Sequence, residues 1–519
     1  MTRFRASLAV PVLICGLAGA AGAADAVAAA VGRIVAAGTH PWLERSSFAD
    51  RQPDVRRLYE ATGFQPIWLD DGRPTRAARA ATAALADAAG RGLDPRDYDS
   101  GRLRTEAARL MDEASAADAA LYDTGLTIAV MRYAADAYGG RVDPVRVGQG
   151  LASDRRRLDL PPFVAALATS DDPAAALAAL DPRVPSFAAL REALAEALAL
   201  AARSDVPDVP ADLPVLRPGD RHPGVVPLRR RLTALGDLGP APPDGAPPDE
   251  TRYDPETVAA VRRFQARHGG NVDGVVGRDT LRALRVPLAA RAEQIALAME
   301  RLRWYAQDAG RWIVVNVPEF RLHAFDGLAP APALSMDVVV GSAVRGTWTP
   351  VVHGHLRRVV FRPWWDVPPS IARTEILPRA ARDPGYLGRE RIVRARGRLR
   401  QRPGPDNALG LVKFVFPNPY GVYLHDTPHK RLFARRRRDF SHGCIRVADA
   451  VGLAAFVLGW DRERVLAAMR GPDDRGIAVP DGVAVYVLYS TVAVEDGRPR
   501  FLEDIYGHDA ALARALRAR

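Results

Sequence analysis

Cysteine and lysine are nearly absent from this chain of 519 residues, which has two of the first, Cys15 and Cys444, and two of the second, Lys413 and Lys430. Its 72 basic residues are therefore almost all arginine, and the formal net charge is +11. Heavy use of arginine and alanine marks a compositional bias of the source as much as a functional choice. The charge favours anionic surroundings, but no nucleic-acid motif set accompanies it, so nucleic acid is not expected as a partner. Beyond the N-terminus there is no apolar run near the ~20 residues that a membrane helix needs. No later segment is expected to span a bilayer.

The N-terminus reads as a secretory signal over residues 1–24. Arg3 and Arg5 precede an apolar stretch from Leu8 to Ala21, and Ala21-Gly22-Ala23 offers an A-x-A cleavage site. Because alanine and glycine continue to Ala30, an uncleaved anchor is the alternative. Ile14 stands before Cys15 where a lipoprotein signal wants a small residue. Export implies the periplasm, and it would remove Cys15. Cys444 is then a lone cysteine in an oxidising compartment: a buried inert residue, an intermolecular bridge or a working thiol.

Periodicity divides the rest into an α-helical scaffold, a small α-helical domain and a β-rich α+β domain with an inserted lid. Residues 25–205 carry helical spacing, as in Arg76 to Ala89, Ala116 to Tyr138 and Phe187 to Ala202. A Pro-, Asp- and Gly-rich boundary follows. A compact helical pattern fills 215–287, interrupted by a Pro-rich loop from Gly239 to Asp249, and a connecting helix fills 288–310. From Arg311 the period becomes that of strands, short and β-branched, to about residue 490. Ser370 to Asp406 differs in composition and reads as the lid, about 370–406. Residues 491–519 read as a C-terminal tail.

Two motifs in the β-rich domain carry chemistry. One is Ser441-His442-Gly443-Cys444-Ile445-Arg446-Val447; the other, ending a strand, is Tyr423-Leu424-His425-Asp426-Thr427. A thiol becomes a useful nucleophile as the thiolate, which needs a base or a positive field. His425 is the candidate base. Gly443 permits a tight turn that lets backbone amides face an oxyanion. Arg446 adds charge or holds the loop, and the helix beginning near Asp449 could lend its dipole. His442 is either a second site residue or a loop residue. His353-Gly354-His355 is a weak metal set, with no carboxylate or cysteine beside it. Arg435-Arg436-Arg437-Arg438 reads as a solvated run or a contact for acidic polymer.

The paired motifs resemble the signature of the YkuD-type L,D-transpeptidases, cysteine enzymes of bacterial peptidoglycan. Arg402 to Gly410, Lys413 to Asn418 and Trp365-Asp366-Val367-Pro368-Pro369-Ser370-Ile371 resemble the larger YcbB-like subgroup, although Asp366 stands where relatives often have Asn. Residues 220–284 resemble that subgroup's peptidoglycan-binding domain, and Gly63 to Trp68 with Gly92 to Pro95 its scaffold. The resemblance implies Cys444 as nucleophile, His425 as acid–base and the backbone carbonyl of Asp426 as its orienter. Tyr423, Ser441, Trp365 and Asn407 are the expected substrate contacts. It implies no metal or organic cofactor. It further implies a tetrapeptide stem as acyl donor, an acceptor amine giving a 3-3 cross-link, and acylation by carbapenems. Water or a protein amine as acceptor stays open. So does a non-catalytic wall-binding role through residues 220–284.

Overall fold

The computed structural model describes residues 16–112, 115–150, 156–239, 249–305, 310–327, 329, 331–395 and 397–518. Most of the signal segment, Cys15 and the bulk of the Pro-rich loop (240–248) lie outside the described residues. The chain forms two compact units, one of residues 1–141 with 156–182 and one of residues 142–155 with 183–519.

The first unit is helical. Its central helix, Ala116–Gly139, is buried along nearly its whole length, and Ser115 caps it by accepting the Asp118 amide. A buried carboxylate needs donors, and Asp123 on this helix has them: the Tyr59 hydroxyl at 2.6 Å and the Trp68 amide at 2.7 Å. Thr127, one turn on, takes the Trp68 indole N–H at 2.9 Å. Burial nevertheless pushes the Asp123 carboxyl up to about 6.

The second unit includes the helix Pro185–Ala201, which the sequence pattern assigns to the scaffold. Its apolar face, Phe187, Leu190 and Leu194, packs with Ile295 and Met299 of the helix Leu288–Leu302 and with Val492. Three short helices, Val225–Ala234, Pro255–Arg267 and Arg278–Leu284, close around Leu228, Leu232, Val261, Phe264 and Leu284. Asp254 caps the middle one through the Thr257 amide.

The β-rich body has nine strands: β1 (Arg311–Asn316), β2 (Arg321–Asp326), β3 (Leu334–Gly341), β4 (Val352–Phe361), β5 (Val412–Val415), β6 (Leu424–His425), β7 (Asp439–Ser441), β8 (Ile445–Val447) and β9 (Arg475–Leu488). Their order is β7-β3-β8-β6-β5-β4-β9-β1-β2, and β2 also pairs with β3, which closes the sheet on itself. Val315, Leu322, Val338, Val359, Phe414, Leu424 and Val485 fill its core.

The insertion between β4 and β5 starts at Trp365, earlier than the expected residue 370. It contains its own three-stranded sheet (Trp365–Asp366, Arg398–Gln401, Ile392–Ala395) and a π-helical turn, Ala372–Ile376. Its small core is Val367, Ile376, Ile392 and Leu399.

Residues 491–519 are not a loose tail. They form the hairpin Val492–Glu495 with Arg498–Phe501 and the helix His508–Arg517, whose Leu512 joins the body core. Alternation over two four-residue strands is too short to stand out in sequence.

Candidate active site

The site is assembled by strand register. Lys413 on β5 pairs with His425 on β6, and His425 pairs with Arg446 on β8. The same cross-strand row continues to Val360 on one side and Val339 on the other. Paired residues project from the same face of a sheet, so the imidazole has a cation on either flank. The Ile445 amide donates to the Tyr423 carbonyl at 3.1 Å, which ties the segment after Cys444 to the segment before His425.

His425 is buried, and its Nδ1 lies 2.5 Å from the carbonyl oxygen of Asp426. A ring nitrogen facing a carbonyl must carry the proton, so Nε2 keeps the lone pair. Burial, with help from Arg446, pulls the imidazole down to about 3. His425 is thus neutral at pH 7. The Asp426 carboxylate is turned to other work: it accepts the Leu411 amide at 2.9 Å and the Lys430 ammonium at 2.6 Å. The chain's two lysines therefore both stand against the His425-Asp426 pair.

Cys444 is a free, half-buried thiol. Burial wins and holds the thiol above its ordinary pKa, with the Tyr423 amide and hydroxyl and the charges of Lys413 and Arg446 offsetting only part of the push. The loop that presents it is held from inside. Ser441 Oγ donates to the Cys444 carbonyl at 2.6 Å and accepts the Gly443 amide at 3.1 Å. Thr349 Oγ1 donates to the Gly443 carbonyl at 2.8 Å. Tyr506, from the C-terminal segment, supports Thr349 by accepting its amide at 3.2 Å, and donates to the Gly341 carbonyl at 2.6 Å. Gly443 has φ 112°, a backbone conformation that L side chains rarely adopt.

These contacts revise several sequence-based expectations. Ser441 is buried and spends its hydroxyl inside the loop, so it shapes the loop and does not face substrate. The Gly443 N–H is already donated to Ser441, which removes it as an oxyanion donor. Asn407 is buried too. Its amide nitrogen donates to the Pro363 and Arg402 carbonyls at 3.2 and 3.0 Å, and its oxygen accepts the Leu409 amide at 2.8 Å, so it clips the base of the insertion. The helix Ala450–Leu458 begins beyond the three residues of β8, roughly 10 Å of strand, and a dipole acts mainly within its own first turn. Its N-cap, Asp449, pairs with Arg462 instead.

Other residues fall where expectation left them open. His442 Nε2 lies 2.5 Å from Glu375 Oε1 in the insertion's π-helical turn, which joins the cysteine loop to the lid. Tyr423 is half-buried, with its ring 5.7 Å from that of His425. Trp365 packs on the insertion's core, and Asp366 pairs with Arg400 at 2.5 Å. The arginine run is partly structural: Arg437 pairs with Asp439, and Arg438 with Asp337. The His353 ring stacks on Tyr486 at 4.4 Å. Among the described residues no group of three or more His, Cys, Asp or Glu could hold a metal ion, and no helix is long and apolar enough to cross a membrane.

Residues 310–485 match the family described as L,D-transpeptidase catalytic domain (YkuD), and residues 221–284 match the one described as "Putative peptidoglycan binding domain". The chain carries an L,D-transpeptidase catalytic domain. A scaffold domain family matches residues 53–194. A curated relative from Haemophilus influenzae, named "Putative L,D-transpeptidase", is 31% identical over 242 residues, 42% of this chain and 48% of the relative. The chain thus matches about half the length of that relative. A solved fused Zn-dependent amidase/peptidase/peptidoglycan-binding protein from Clostridium acetobutylicum overlaps 53% of this chain and 99% of its own at 14% identity. The TM-score of 0.16 is too low to carry an argument.

Around the candidate active site, sequence reasoning missed Thr349, Lys413, Glu375 and Lys430. One signal was available: lysine is used only twice where arginine is used throughout, and both uses fall here.

Proposed function

We propose that the protein is an exported peptidoglycan L,D-transpeptidase that forms 3-3 cross-links through a thioester on Cys444. The observation that carries this reading is the neutral His425, with Nδ1 committed to the Asp426 carbonyl and Nε2 left to accept a proton, in the same sheet row as the cations beside the thiol. The thiol proton passes to His425 Nε2 as sulfur attacks the carbonyl between the third and fourth residues of a tetrapeptide stem. The peptide C–N bond breaks, and the departing D-alanine amine takes the proton back. An amine of a second stem then attacks the thioester. It loses its proton to His425, and the cysteine leaves as the thiol. The insertion covers the donor and excludes water, which favours the amine over hydrolysis. Residues 221–284 would hold the enzyme at its polymer, and carbapenems would acylate the same sulfur. Signal-directed export to the periplasm brings the enzyme to this substrate.

The test is incubation with purified disaccharide-tetrapeptide, followed by mass spectrometry of protein and products. Wild type should show an acyl adduct on Cys444, free D-alanine and a cross-linked dimer. Cys444→Ala should lose all three, and His425→Ala should slow turnover by roughly 10²–10⁴-fold. D-Alanine release retained by Cys444→Ala would refute the assignment. Tripeptide without dimer would make the enzyme a carboxypeptidase.

A further inference from the structure

The row that crosses the active site has an unusual charge pattern. Val360, Lys413, His425, Arg446 and Val339 are successive register partners on β4, β5, β6, β8 and β3. A base that must accept a proton is therefore placed between two cations. No carboxylate among the described residues pairs directly with Lys413 or Arg446; Asp366 and Asp474 attract Lys413 only from a distance and Arg358 repels it, while Arg345 repels Arg446. The Arg446 Nε is buried with no hydrogen-bond partner there. Desolvated cations without counter-ions are costly unless an anion is close. The anion that the chemistry places here is the sulfur of Cys444.

Lys413 has a second contact that fixes it. Its Nζ lies 3.9 Å from the centroid of the Tyr423 ring, a cation–π contact, and the Tyr423 amide and hydroxyl both act to lower the pKa of the thiol. The ammonium, the phenol and the sulfur form one connected group. Composition adds an independent observation: arginine fills nearly every basic position of the chain, yet this one keeps a compact ammonium. A guanidinium is a broad planar fork and an ammonium is a point charge.

We propose that Lys413 is a positioning residue for acyl transfer, which together with Arg446 supplies the field that stabilises the negative charge developing on Cys444 as its proton leaves for His425. Lys413 keeps its own protons throughout; the proton that moves is the one that passes from sulfur to His425 Nε2 and on to the departing amine. The electrostatics agree in sign: Lys413 and Arg446 both oppose the upward push of burial on the thiol, and both oppose protonation of His425. The inference rests on Cys444 being the nucleophile, as proposed above.

The experiment measures the rate of Cys444 alkylation by iodoacetamide between pH 5 and 10, in wild type, K413M and K413R. K413M should move the alkylation midpoint up by about one pH unit, which is roughly tenfold slower reaction at pH 7. K413R, which keeps the charge, should stay within about twofold of wild type. A K413M profile that superimposes on wild type would overturn the proposal. So would an equal shift in both variants, since packing and not charge would then be at work. K413Q replaces K413M if circular dichroism shows the latter unfolded. Alkylation needs no peptidoglycan substrate, so a wild-type protein that releases no D-alanine sinks the transpeptidase reading and leaves this test intact.

Discussion

A methyl group added at Gly410 should damage the site more than the same change at a glycine of equal backbone geometry. Gly410 has φ 59° and Gly459, the cap of the helix Ala450–Leu458, has φ 65°. Alanine in this left-handed region costs about 1–2 kcal/mol at either position. At Gly459 the new Cβ meets nothing within 4 Å. At Gly410 it overlaps the Asp426 carboxylate, which accepts the Leu411 amide at 2.9 Å and the Lys430 ammonium at 2.6 Å. Losing a hydrogen bond to a charged group costs about 1.5–3 kcal/mol; the half-exposed lysine adds little. G459A should therefore cost about 1–2 kcal/mol and G410A about 2.5–5 kcal/mol, by the same left-handed penalty plus the displaced carboxylate. Urea unfolding followed by tryptophan fluorescence measures the difference. D-Alanine release adds a second readout: G410A shifts the Asp426 carbonyl that orients His425, whereas G459A leaves it alone. If the two variants lose stability equally within about 0.5 kcal/mol, against the gap expected from the lost hydrogen bond, the overlap is not decisive. Equal activity would mean that Asp426 does not couple to His425.

Acid should weaken the fold through His425. Its imidazole falls from 6.5 to about 3 on folding, chiefly by burial, so between those values the unfolded chain binds a proton that the folded one refuses. Stability present above pH 6.5 is lost as pH falls, by about 2 kcal/mol between pH 7 and pH 5. The unfolding free energy of His425→Gln, which cannot titrate, should lack that part of the pH dependence; identical slopes in the two proteins would count against a neutral buried imidazole. The contact between His442 and Glu375 should hold the insertion over the cysteine loop. Glu375→Ala should raise hydrogen exchange in 370–380 and increase the share of hydrolysed over cross-linked product severalfold, and an unchanged product ratio would argue against a water-excluding lid.

Much of this was legible in the sequence because it is local. His425 at a strand end and Cys444 after a glycine can be read from neighbouring residues. Seven of the nine body strands show as short β-branched or aromatic runs, and Asp254 sits where a helix cap belongs. Register is not local. Nothing near Lys413 says that β5 will lie against β6, or that β8 will lie on the other side with Arg446 level with His425. Strands of three residues, such as β7 and β8, carry too little alternation to be found by period. Polar residues inside motifs misled for another reason: Ser441 and Asn407 look like substrate contacts, but a tight loop must satisfy its own backbone first. The support that Tyr506 gives to Thr349, and through it to Gly443, joins residues about 160 positions apart in sequence.

The closure of the sheet through β2 and β3 decides how an extended peptide can be recognised. Many peptide-binding proteins add their ligand to an open sheet edge and hold it by main-chain hydrogen bonds. A ring of strands offers no such edge. In and around the body, strands with an unpaired flank include β7, the outer strands Trp365–Asp366 and Ile392–Ala395 of the insertion, and the C-terminal hairpin. An extended peptide laid against the body must therefore be read by side chains and loop amides, and any strand-like docking near the cysteine falls to β7 or the insertion. Changes in stem chemistry can then be met by exchanging residues 365–401, while the barrel that aligns His425 and Cys444 stays as it is.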